Sequence, residues 1–351
     1  MQEGRINLYS DTQTRPSPAM LEAMVEAKVG DEQHGLDPTV DALCERVAEL
    51  LGKEAALFLP SGTMCNEIAI LVHCRPGDEI YAHHSAHIIT SEAGGPSALA
   101  GATICPLPGD RGIYSADALR AHLRLESRYT PTPRLVEIEQ TANFGGGAVW
   151  TLAQINAVAA VAKERNLRMH MDGARLLNAV VAAGVSAREF AAPFDSAWLD
   201  LSKGLGCPIG GVLAGSHAFI DEAWRWKQRI GGALRQAGFL AAAGLYALDH
   251  NIARLADDHD NARRFGAIVA QCPGVSLEPA QVETNIVFIN VAQAGVAATE
   301  LRDRLEARGI NVGAMGPTRL RAVTHMDVNR AQAEEAAHAF VEIVNELRTI
   351  H

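Results

Sequence analysis

An alternation of short apolar runs with amphipathic segments constrains the fold more than any other feature of this sequence. The runs that predict β-strands are residues 55–59, 79–82, 103–107, 135–138, 167–171, 197–201 and 211–214. Helical patterns lie between most of them, for example at residues 63–74 and 152–164. Such alternation is typical of β-α-β crossovers, which build a mostly parallel sheet with helices on both faces. We therefore predict an α/β fold.

One helix ahead of the first strand is clearly delimited. Asp37-Pro38-Thr39 is typical of a helix start, and Gly52 is typical of a helix end. Between them the apolar residues recur at helical spacing, at Val40, Leu43, Val47 and Leu50. The sequence therefore predicts an amphipathic helix that ends just before the strand at residues 55–59.

The pattern changes after about residue 251. A long helix is predicted over 237–255, then a polar helix over 255–269, strands over 285–291 and 320–324, and a last helix over 331–347. This order predicts a smaller α+β domain. We expect residues 1–250 to form an N-terminal arm and a large cofactor-binding domain, and residues 251–351 to form the small domain. Because no Gly/Ser-rich linker separates them, we expect the two domains to pack closely.

Composition excludes several classes of function. The chain has 351 residues, of which 48% are hydrophobic and 21% charged, and a net charge of −10. This balance is typical of a globular protein with ample core material. A negative field disfavours nucleic acid and anionic membranes as partners, although a few placed arginines can still bind a small anion. We predict a small-molecule partner, with no nucleic acid and no membrane.

Cysteine usage and the N-terminus predict a cytoplasmic location. The six cysteines show no CxxC pair, which is typical of free thiols in a reducing compartment. Residues 1–18 lack the apolar core of a signal peptide. No segment approaches the roughly 20 apolar residues that a membrane-spanning helix needs.

Two residues at the ends of predicted strands carry most of the chemical signal. Asp172 follows the run 167–171, and Lys203 stands among Ser and Gly residues after the run 197–201. Pyridoxal phosphate needs such a pair, because a lysine forms a Schiff base with its aldehyde and a carboxylate keeps its ring nitrogen protonated. A helix-capping role for Asp172 and a solvated loop position for Lys203 are the alternatives. We predict pyridoxal 5′-phosphate as the cofactor.

The turn Pro60-Ser61-Gly62-Thr63 joins a predicted strand to a predicted helix. Its small residues let backbone N–H groups approach a phosphate, and the helix start adds partial positive charge. The Gly-Lys-Thr ending of a nucleotide-binding P-loop is absent, as is GxGxxG after the first strand. A plain strand–helix connection is the alternative, but Asp172 and Lys203 favour a phosphate cradle.

Three histidines, His83, His84 and His87, follow another predicted strand. A histidine can stack on a pyridine ring or transfer a proton near neutral pH. The spacing also suggests a metal site, but no carboxylate or cysteine stands at ligand spacing, so we predict no metal. Structural or solvated roles remain alternatives, and we favour His87 for stacking on the cofactor.

Two arginines could bind oxyanions. Arg175 follows Asp172 by three residues and could pair with the phenolate oxygen of the cofactor. Arg321, in a predicted C-terminal strand, could bind a substrate carboxylate through its two-pronged guanidinium. A surface ion pair is the alternative for either arginine.

The same residues resemble a known family. The chain is similar to the L-threonine aldolases, or β-eliminating lyases, among the fold-type-I pyridoxal phosphate enzymes. The matching segments keep the family order over nearly the whole chain and are residues 8–16, 37–40, 52–56, 60–63, 91–95, 171–175, 201–204, 234–238 and 323–325. The resemblance implies an aspartate aminotransferase-like large domain with a mostly parallel sheet and a smaller α+β C-terminal domain.

The resemblance also implies roles for individual residues. Lys203 would form the imine, Asp172 would pair with the ring nitrogen, and His87 would stack on the ring. The residues implied in phosphate, phenolate or substrate binding are Ser61, Gly62, Thr63, Arg175, Arg321 and Ser10. Arg235 would reach the phosphate of a neighbouring subunit, because the family forms homotetramers with sites at subunit interfaces.

Two positions depart from the family pattern. His34 stands where the family has Tyr in Tyr-Gly-Glu/Asp-Asp-Pro-Thr. Ala142 replaces the His of an Asn-Thr-His-Asn run, which in the family faces the β-substituent and hydroxyl of the substrate. We place both positions in the substrate-binding part of the site. Ala142 predicts tolerance of β-substituents larger than methyl, and leaves His87 or a water as the base, with help from His83, His84 or His34.

The predicted reaction is the cleavage of a β-hydroxy-α-amino acid to glycine and an aldehyde. L-threonine, L-allo-threonine and bulkier analogues such as phenylserine are the expected substrates. A different pyridoxal phosphate reaction, namely β-elimination, racemization or transamination, is the alternative. A cofactor-binding protein without turnover is a further alternative.

Overall fold

The computed structural model describes residues 5–125 and 127–350, without the side chain at 350. Its strands are β1 (Ile6–Asn7), β2 (Ala55–Leu59), β3 (Asp78–His83), β4 (Thr103–Leu107), β5 (Thr132–Glu139), β6 (Arg168–Asp172), β7 (Ser196–Asp200), β8 (Gly211–Gly215), β9 (Ser276–Leu277), β10 (Ile286–Asn290), β11 (Ile310–Asn311), β12 (Gly313–Ala314) and β13 (Arg319–Val323). Short 3₁₀-helices lie at Asp11–Gln13, Glu32–His34 and Ala292–Ala294.

Helices account for most of the remaining regular structure. They are α1 (Pro18–Val25), α2 (Pro38–Leu51), α3 (Gly62–His73), α4 (His87–Thr90), α5 (Gly95–Leu99), α6 (Ala116–His122), α7 (Leu152–Glu164), α8 (Leu176–Ala183), α9 (Ala187–Ala191), α10 (His217–Arg229), α11 (Gly238–His250), α12 (Leu255–Val269), α13 (Ala298–Ala307) and α14 (Arg330–Ile350). Among the described residues, no helix combines the length and apolar character that crossing a membrane requires.

The larger of two compact units, Pro16–Ile252, is built on a sheet with strand order β2-β8-β7-β6-β5-β3-β4. Strand β8 is antiparallel to both of its neighbours, and the other neighbouring strands are parallel. Every residue of β3, β7 and β8 is buried, as expected for strands in the interior of an α/β domain. The predicted α/β fold is confirmed, and each of the seven predicted strands overlaps a strand of this sheet.

The second unit combines the described residues up to Arg15 with those from Ala253 onward. Strand β1 pairs in parallel with β11, and β12-β13-β10-β9 form an antiparallel sheet. Buried apolar side chains of α12, α13 and α14 pack against this sheet in one core. The α+β character predicted for the C-terminal part is therefore observed. The division into domains 1–250 and 251–351 stays a prediction.

The long helix predicted over residues 237–255 is wrong in one respect, because α11 ends at His250 and α12 begins at Leu255. The side chain of Asn251 donates a hydrogen bond to the carbonyl oxygen of Leu205 at 2.8 Å. Asparagine side chains that bond elsewhere on the backbone compete with helix continuation. The apolar periodicity did not reveal this interruption.

Helix α2 has the boundaries that its sequence predicted. The Asp37 side chain accepts from the backbone N–H groups of Thr39 and Val40, and Gly52 ends the helix with φ of 65°. A second oxygen of Asp37 accepts from Gly238 N at 2.8 Å. A single buried carboxylate thus caps α2 and ties the start of α11 to it.

We predict that Asp37→Ala destabilises the protein. Loss of an N-cap side chain costs about 0.5–2 kcal/mol, and the Gly238 N–H loses a buried partner as well. Thermal unfolding should show a lower Tm for Asp37→Ala. Asp37→Asn should lower the Tm less, because its side-chain oxygen can still cap the helix although its NH₂ group cannot accept from Gly238 N. Equal Tm values for the wild type and Asp37→Ala would contradict this account.

Candidate active site

Polar residues end four neighbouring strands of the large sheet. His83 ends β3, Glu139 ends β5, Asp172 ends β6 and Asp200 ends β7. Glu139 and Asp172 are direct partners in the pairing of β5 with β6. Because open α/β sheets bind ligands at the carboxyl ends of their strands, this edge is the candidate site.

Asp172 is almost completely buried, with 1% of its surface exposed. Its Oδ2 accepts from Nδ2 of Asn66 at 2.8 Å, and its Oδ1 accepts from the backbone N–H of Ala174 at 3.0 Å. The following helix, α8, has Arg175 at its N-cap position. Asp172 therefore does not cap that helix, and its carboxylate belongs to a buried hydrogen-bond network.

Lys203 lies beside Asp200 at the end of β7. Its Nζ donates to Oδ2 of Asp200 at 2.5 Å and lies 5.7 Å from the ring centroid of Trp198. The other oxygen of Asp200 accepts from the backbone N–H and hydroxyl of Ser202. The lysine side chain is only 18% exposed. Lys203 is therefore held at the edge of the sheet and is not a freely solvated loop residue.

His87 begins helix α4 in the same region. Its Nδ1 donates to Oε1 of Glu92 at 2.7 Å, and its backbone N–H donates to Oε2 of Glu139 at 3.1 Å. Burial lowers the pKa of His87, but the Glu92 hydrogen bond and the charge of Asp172 outweigh burial and leave the pKa raised. Of the two ring nitrogens, Nδ1 is thus held by a carboxylate.

His83 and His84 differ from His87 in their surroundings. Their ring centroids lie 4.1 Å apart, and Nδ1 of His83 hydrogen-bonds with Ser85 Oγ at 2.8 Å. Burial lowers the pKa of His83. Among the described residues, neither of these rings hydrogen-bonds to Glu92 or Asp172, whereas His87 bonds to Glu92 directly.

The site is rich in buried carboxyl groups. Burial, together with the neighbouring Glu92, raises the pKa of Glu67 to about 8. Burial, together with the charge of Asp172, raises the pKa of Glu139 to about 7. Burial also raises the pKa of Glu137 well above its usual value. Burial therefore favours the neutral form of these carboxyl groups, and a cationic group placed beside them would favour the charged form.

Glu67 and Glu92 form a pair of neighbouring carboxyl groups, and Glu92 also bonds to His87. Both oxygens of Glu67 and Oε2 of Glu92 are buried, and the described residues supply no other donor to them. Two carboxyl groups in hydrogen-bond contact are satisfied when they share one proton. Glu67 is thus the protonated partner at neutral pH, and Glu92 accepts from both Glu67 and His87.

We predict that Glu67→Gln stabilises the protein increasingly as the pH rises. The folded pKa of about 8 exceeds the ordinary 4.5, so the unfolded state releases this proton first and wild-type stability falls across that window. Glutamine carries no such proton. The free energy of unfolding of Glu67→Gln should therefore exceed that of the wild type by a margin that grows by about 1 kcal/mol per pH unit. This margin should level off above the folded pKa.

Urea unfolding of both proteins at several pH values measures this difference. Glu45→Gln is the control, because Glu45 is an exposed carboxyl on α2. A difference between wild type and Glu67→Gln that stays constant with pH would contradict the assignment of the buried proton.

The group His87, Glu92 and Asp172 also has the composition of a metal site. One potential ligand atom from each lies within 4.8 Å of the others. However, Oε1 of Glu92 already accepts from His87 and from Asn66, and Asp172 accepts from Asn66. A donor-filled carboxylate set suits a hydrogen-bonded organic cation better than a metal, so we assign no metal here.

The turn at residues 60–63 begins helix α3 beside Trp198. Ser61 is the N-cap, and its side chain accepts from Met64 N. A Cβ at Gly62 would come within 2.2 Å of the Trp198 ring. Only glycine therefore fits between this ring and the helix start. The first N–H groups of a helix have no intrahelical acceptor, so those of Gly62 and Thr63 suit a phosphate.

Ala142 and Arg175 lie on the loops that follow β5 and β6. Arg175 is buried, and its guanidinium donates to Oδ1 of Asn143 at 3.4 Å. Ala142 is also buried, and its Cβ would be 2.3 Å from a Cβ at Gly112 and 3.2 Å from one at Gly145. The Ala142 methyl therefore packs against glycines.

The remaining predicted residues are His34 and Arg235 in the larger unit and Ser10 and Arg321 in the second. His34 and Arg235 both contact the carboxylate of Asp31, at 3.0 and 2.9 Å. In the second unit, Ser10 accepts from Thr12, and Arg321 donates to the carbonyl oxygen of Tyr9 at 3.4 Å. Ser10 and Arg321 thus flank the same residue, Tyr9, within that unit.

Comparison with known proteins identifies the family. The model of the beta-eliminating lyases matches residues 7–294. The chain belongs to this family. It is 43% identical to the low-specificity L-threonine aldolase of Escherichia coli K12 over 95% of this chain and 98% of that protein. It is 37% identical to low-specificity L-threonine aldolase 1 of Arabidopsis thaliana over 95% of both chains.

A solved structure agrees with the fold of this beta-eliminating lyase. The threonine aldolase of Leishmania major superposes with a TM-score of 0.82 at 22% identity, covering 98% of this chain and 99% of that one. Together with the observed sheet, this likeness confirms the predicted fold. The family membership confirms the resemblance stated from the sequence.

The residues at the strand ends fit pyridoxal phosphate. A buried carboxylate at Asp172 suits a protonated ring nitrogen, Lys203 supplies an amine, and the first N–H groups of α3 suit a phosphate. The chemistry of the donor set therefore agrees with the cofactor predicted from the sequence.

Sequence reasoning missed four residues that the fold brings to this site. They are Asn66, Glu92, Trp198 and Asp200. The rule that singled out Asp172, a carboxylate at the end of an apolar strand, would also have found Asp200 and Glu139. Asn66 lies on α3 and Glu92 lies in the turn between α4 and α5. No spacing in the sequence relates either residue to Asp172.

Proposed function

We propose that this beta-eliminating lyase is a pyridoxal phosphate-dependent aldolase. It cleaves β-hydroxy-α-amino acids, such as L-threonine, L-allo-threonine or phenylserine, to glycine and an aldehyde. The observation that carries the proposal is the convergence of Lys203, Asp172 and the His87–Glu92 pair at one edge of the sheet. The relatives named as low-specificity L-threonine aldolases support the same reaction class.

Several residues would hold the cofactor. Lys203 would bind its aldehyde carbon, and Asp172 would hold the proton on its ring nitrogen. Ser61, Gly62 and Thr63 would bind the phosphate at the start of α3, and Arg175 would pair with the phenolate oxygen. When bound, the cofactor supplies an electron sink that stabilises the negative charge left by C–C cleavage.

Proton transfer in this proposal belongs to His87. Its Nδ1 donates to Glu92, which leaves Nε2 as the nitrogen available to take the proton of the substrate β-hydroxyl. The Glu92 carboxylate orients the ring and stabilises its charged form. Ser10 and Arg321 would bind the substrate carboxylate, as the family resemblance implies, with His34 and Ala142 as further substrate-binding positions.

Assembly and location form part of the same proposal. Arg235 is 57% exposed on its side chain and bonds to Asp31 at the surface. An exposed arginine in a glycine-containing loop can reach a phosphate in a neighbouring subunit, which supports a homotetramer. The six cysteines are free thiols, which supports a cytoplasmic protein.

We predict that His87→Asn lowers kcat/KM for aldol cleavage by about 10²–10⁴-fold, the usual contribution of a positioned general base. Coupled detection of the aldehyde measures the rate. His122→Asn is the matched control, because His122 is an exposed histidine on α6 whose Nδ1 bonds to a backbone carbonyl. Full activity in His87→Asn would remove His87 from its proposed role.

We also predict that the enzyme accepts phenylserine at least as well as threonine, because Ala142 lacks the polar side chain that the family places near the β-substituent. Glycine release from a panel of β-hydroxy amino acids tests both the reaction and this preference. Lys203→Ala is the negative control. A strong preference for threonine would contradict the role of Ala142, and keto-acid products without glycine would contradict the aldolase.

A further inference from the structure

Asn66 connects more of the candidate site than any catalytic residue proposed above. It lies on α3, facing the sheet, and is completely buried. Its Nδ2 donates to Oδ2 of Asp172 at 2.8 Å and to Oε1 of Glu92 at 2.7 Å. Its Oδ1 hydrogen-bonds with Nε1 of Trp198 at 2.8 Å and Nε2 of His170 at 3.1 Å. All four hydrogen-bonding positions of the amide are therefore used.

The partners allow only one orientation of this amide. The indole N–H of Trp198 can only donate, so the atom that faces it must be the amide oxygen. The NH₂ group then necessarily faces Asp172 and Glu92, which as carboxylates can only accept. A flipped amide would direct its oxygen at two carboxylates and would leave the indole N–H facing an NH₂ group. Trp198 thus determines which end of Asn66 faces the site.

A chain of hydrogen bonds through His170, Ser196 and His73 reinforces this orientation. Because Nε2 of His170 must donate to Asn66, its Nδ1 accepts from the hydroxyl of Ser196 at 2.8 Å. Ser196 Oγ in turn accepts from Nε2 of His73 at 2.8 Å. Burial lowers the pKa of His170 to about 3 and that of His73 to about 4, so both rings are neutral. Neutral rings keep the donor and acceptor sequence fixed.

The two carboxylates that Asn66 bridges serve different parts of the site. Asp172 would hold the ring nitrogen of the cofactor, and Glu92 holds Nδ1 of His87. Like charges this close repel each other, and two N–H donors from one rigid group offset that repulsion. The same contacts fix the distance between the two carboxylates. One amide therefore couples the geometry of the ring-nitrogen site to that of the histidine.

We infer that Asn66 is a positioning residue that holds Asp172 and the His87–Glu92 pair in one geometry, ready for a cationic cofactor ring. This role rests on the proposed pyridoxal phosphate function and adds a residue outside the cofactor contacts. It makes Trp198 and His170 the groups that orient Asn66. Removal of the amide should therefore affect the cofactor itself, and not only the rate of turnover.

Asn66→Leu is the decisive variant, because leucine has nearly the shape of asparagine and lacks its donors. We expect the purified apoprotein to bind pyridoxal phosphate about 10–100-fold more weakly, since two buried carboxylates lose hydrogen bonds. The visible absorbance band of the cofactor bound at Lys203 should change with pH. The pH midpoint of this change should differ between Asn66→Leu and the wild type. The value of kcat should fall, whereas KM for threonine should stay within about three-fold, because Asn66 contacts no substrate group.

Asn261→Leu is the matched control, because Asn261 is a buried amide in the other unit that donates to the Val328 carbonyl. It should keep the cofactor affinity, the absorbance midpoint and kcat of the wild type. If Asn66 only fills space, Asn66→Leu will bind the cofactor within about two-fold of wild type with an unchanged midpoint. That result would overturn the inference.

His170→Phe tests the same inference if Asn66→Leu does not fold. It removes one of the two donors that hold the amide oxygen, and the absorbance midpoint should shift in the same direction by a smaller amount. An unchanged midpoint in folded His170→Phe would overturn the inference. A wild-type protein that binds no pyridoxal phosphate would instead contradict the proposed function, so the two failures are distinguishable.

Discussion

The buried carboxylate of Asp172 is the constraint on which the rest of the site depends. An isolated charge in a protein interior is unstable unless hydrogen bonds or an opposite charge compensate it. Asn66 and the Ala174 N–H provide the hydrogen bonds, and a cationic ring nitrogen would provide the charge. In the proposed function, the side chain that would anchor the cofactor would thus also depend on the cofactor for its full compensation.

The neighbouring carboxyl groups extend this reasoning to the histidine. Glu92 accepts from His87 and Asn66, and the protonated Glu67 lies against it. The net negative charge raises the pKa of His87 despite its burial. A histidine that is oriented and electrostatically supported in this way suits proton transfer near neutral pH. One hydrogen-bond network therefore connects the proposed cofactor-binding carboxylate to the proposed base.

Local patterns in the sequence predicted much of this arrangement. The apolar runs predicted all seven strands of the large sheet, and the start and end signals predicted α2. Asp172 and Lys203 were found because each follows a strand directly. The long helix over 237–255 was wrong, because the contact that ends α11 at Asn251 comes from Leu205, a residue distant in sequence. Asn66 and Glu92 were missed for the same reason.

The sequence by itself determined the alternation of strands and helices and the family, and it singled out the amine and carboxylate that we propose for the cofactor. These features depend on residues that are close together in the sequence, so local periodicity and the order of motifs are enough to predict them. Only the tertiary structure decided that His87, and not His83 or His84, bonds to Glu92, that Lys203 bonds to Asp200, and that Trp198 orients Asn66. Those contacts join residues far apart in the chain, and only the parallel packing of the strands brings them together.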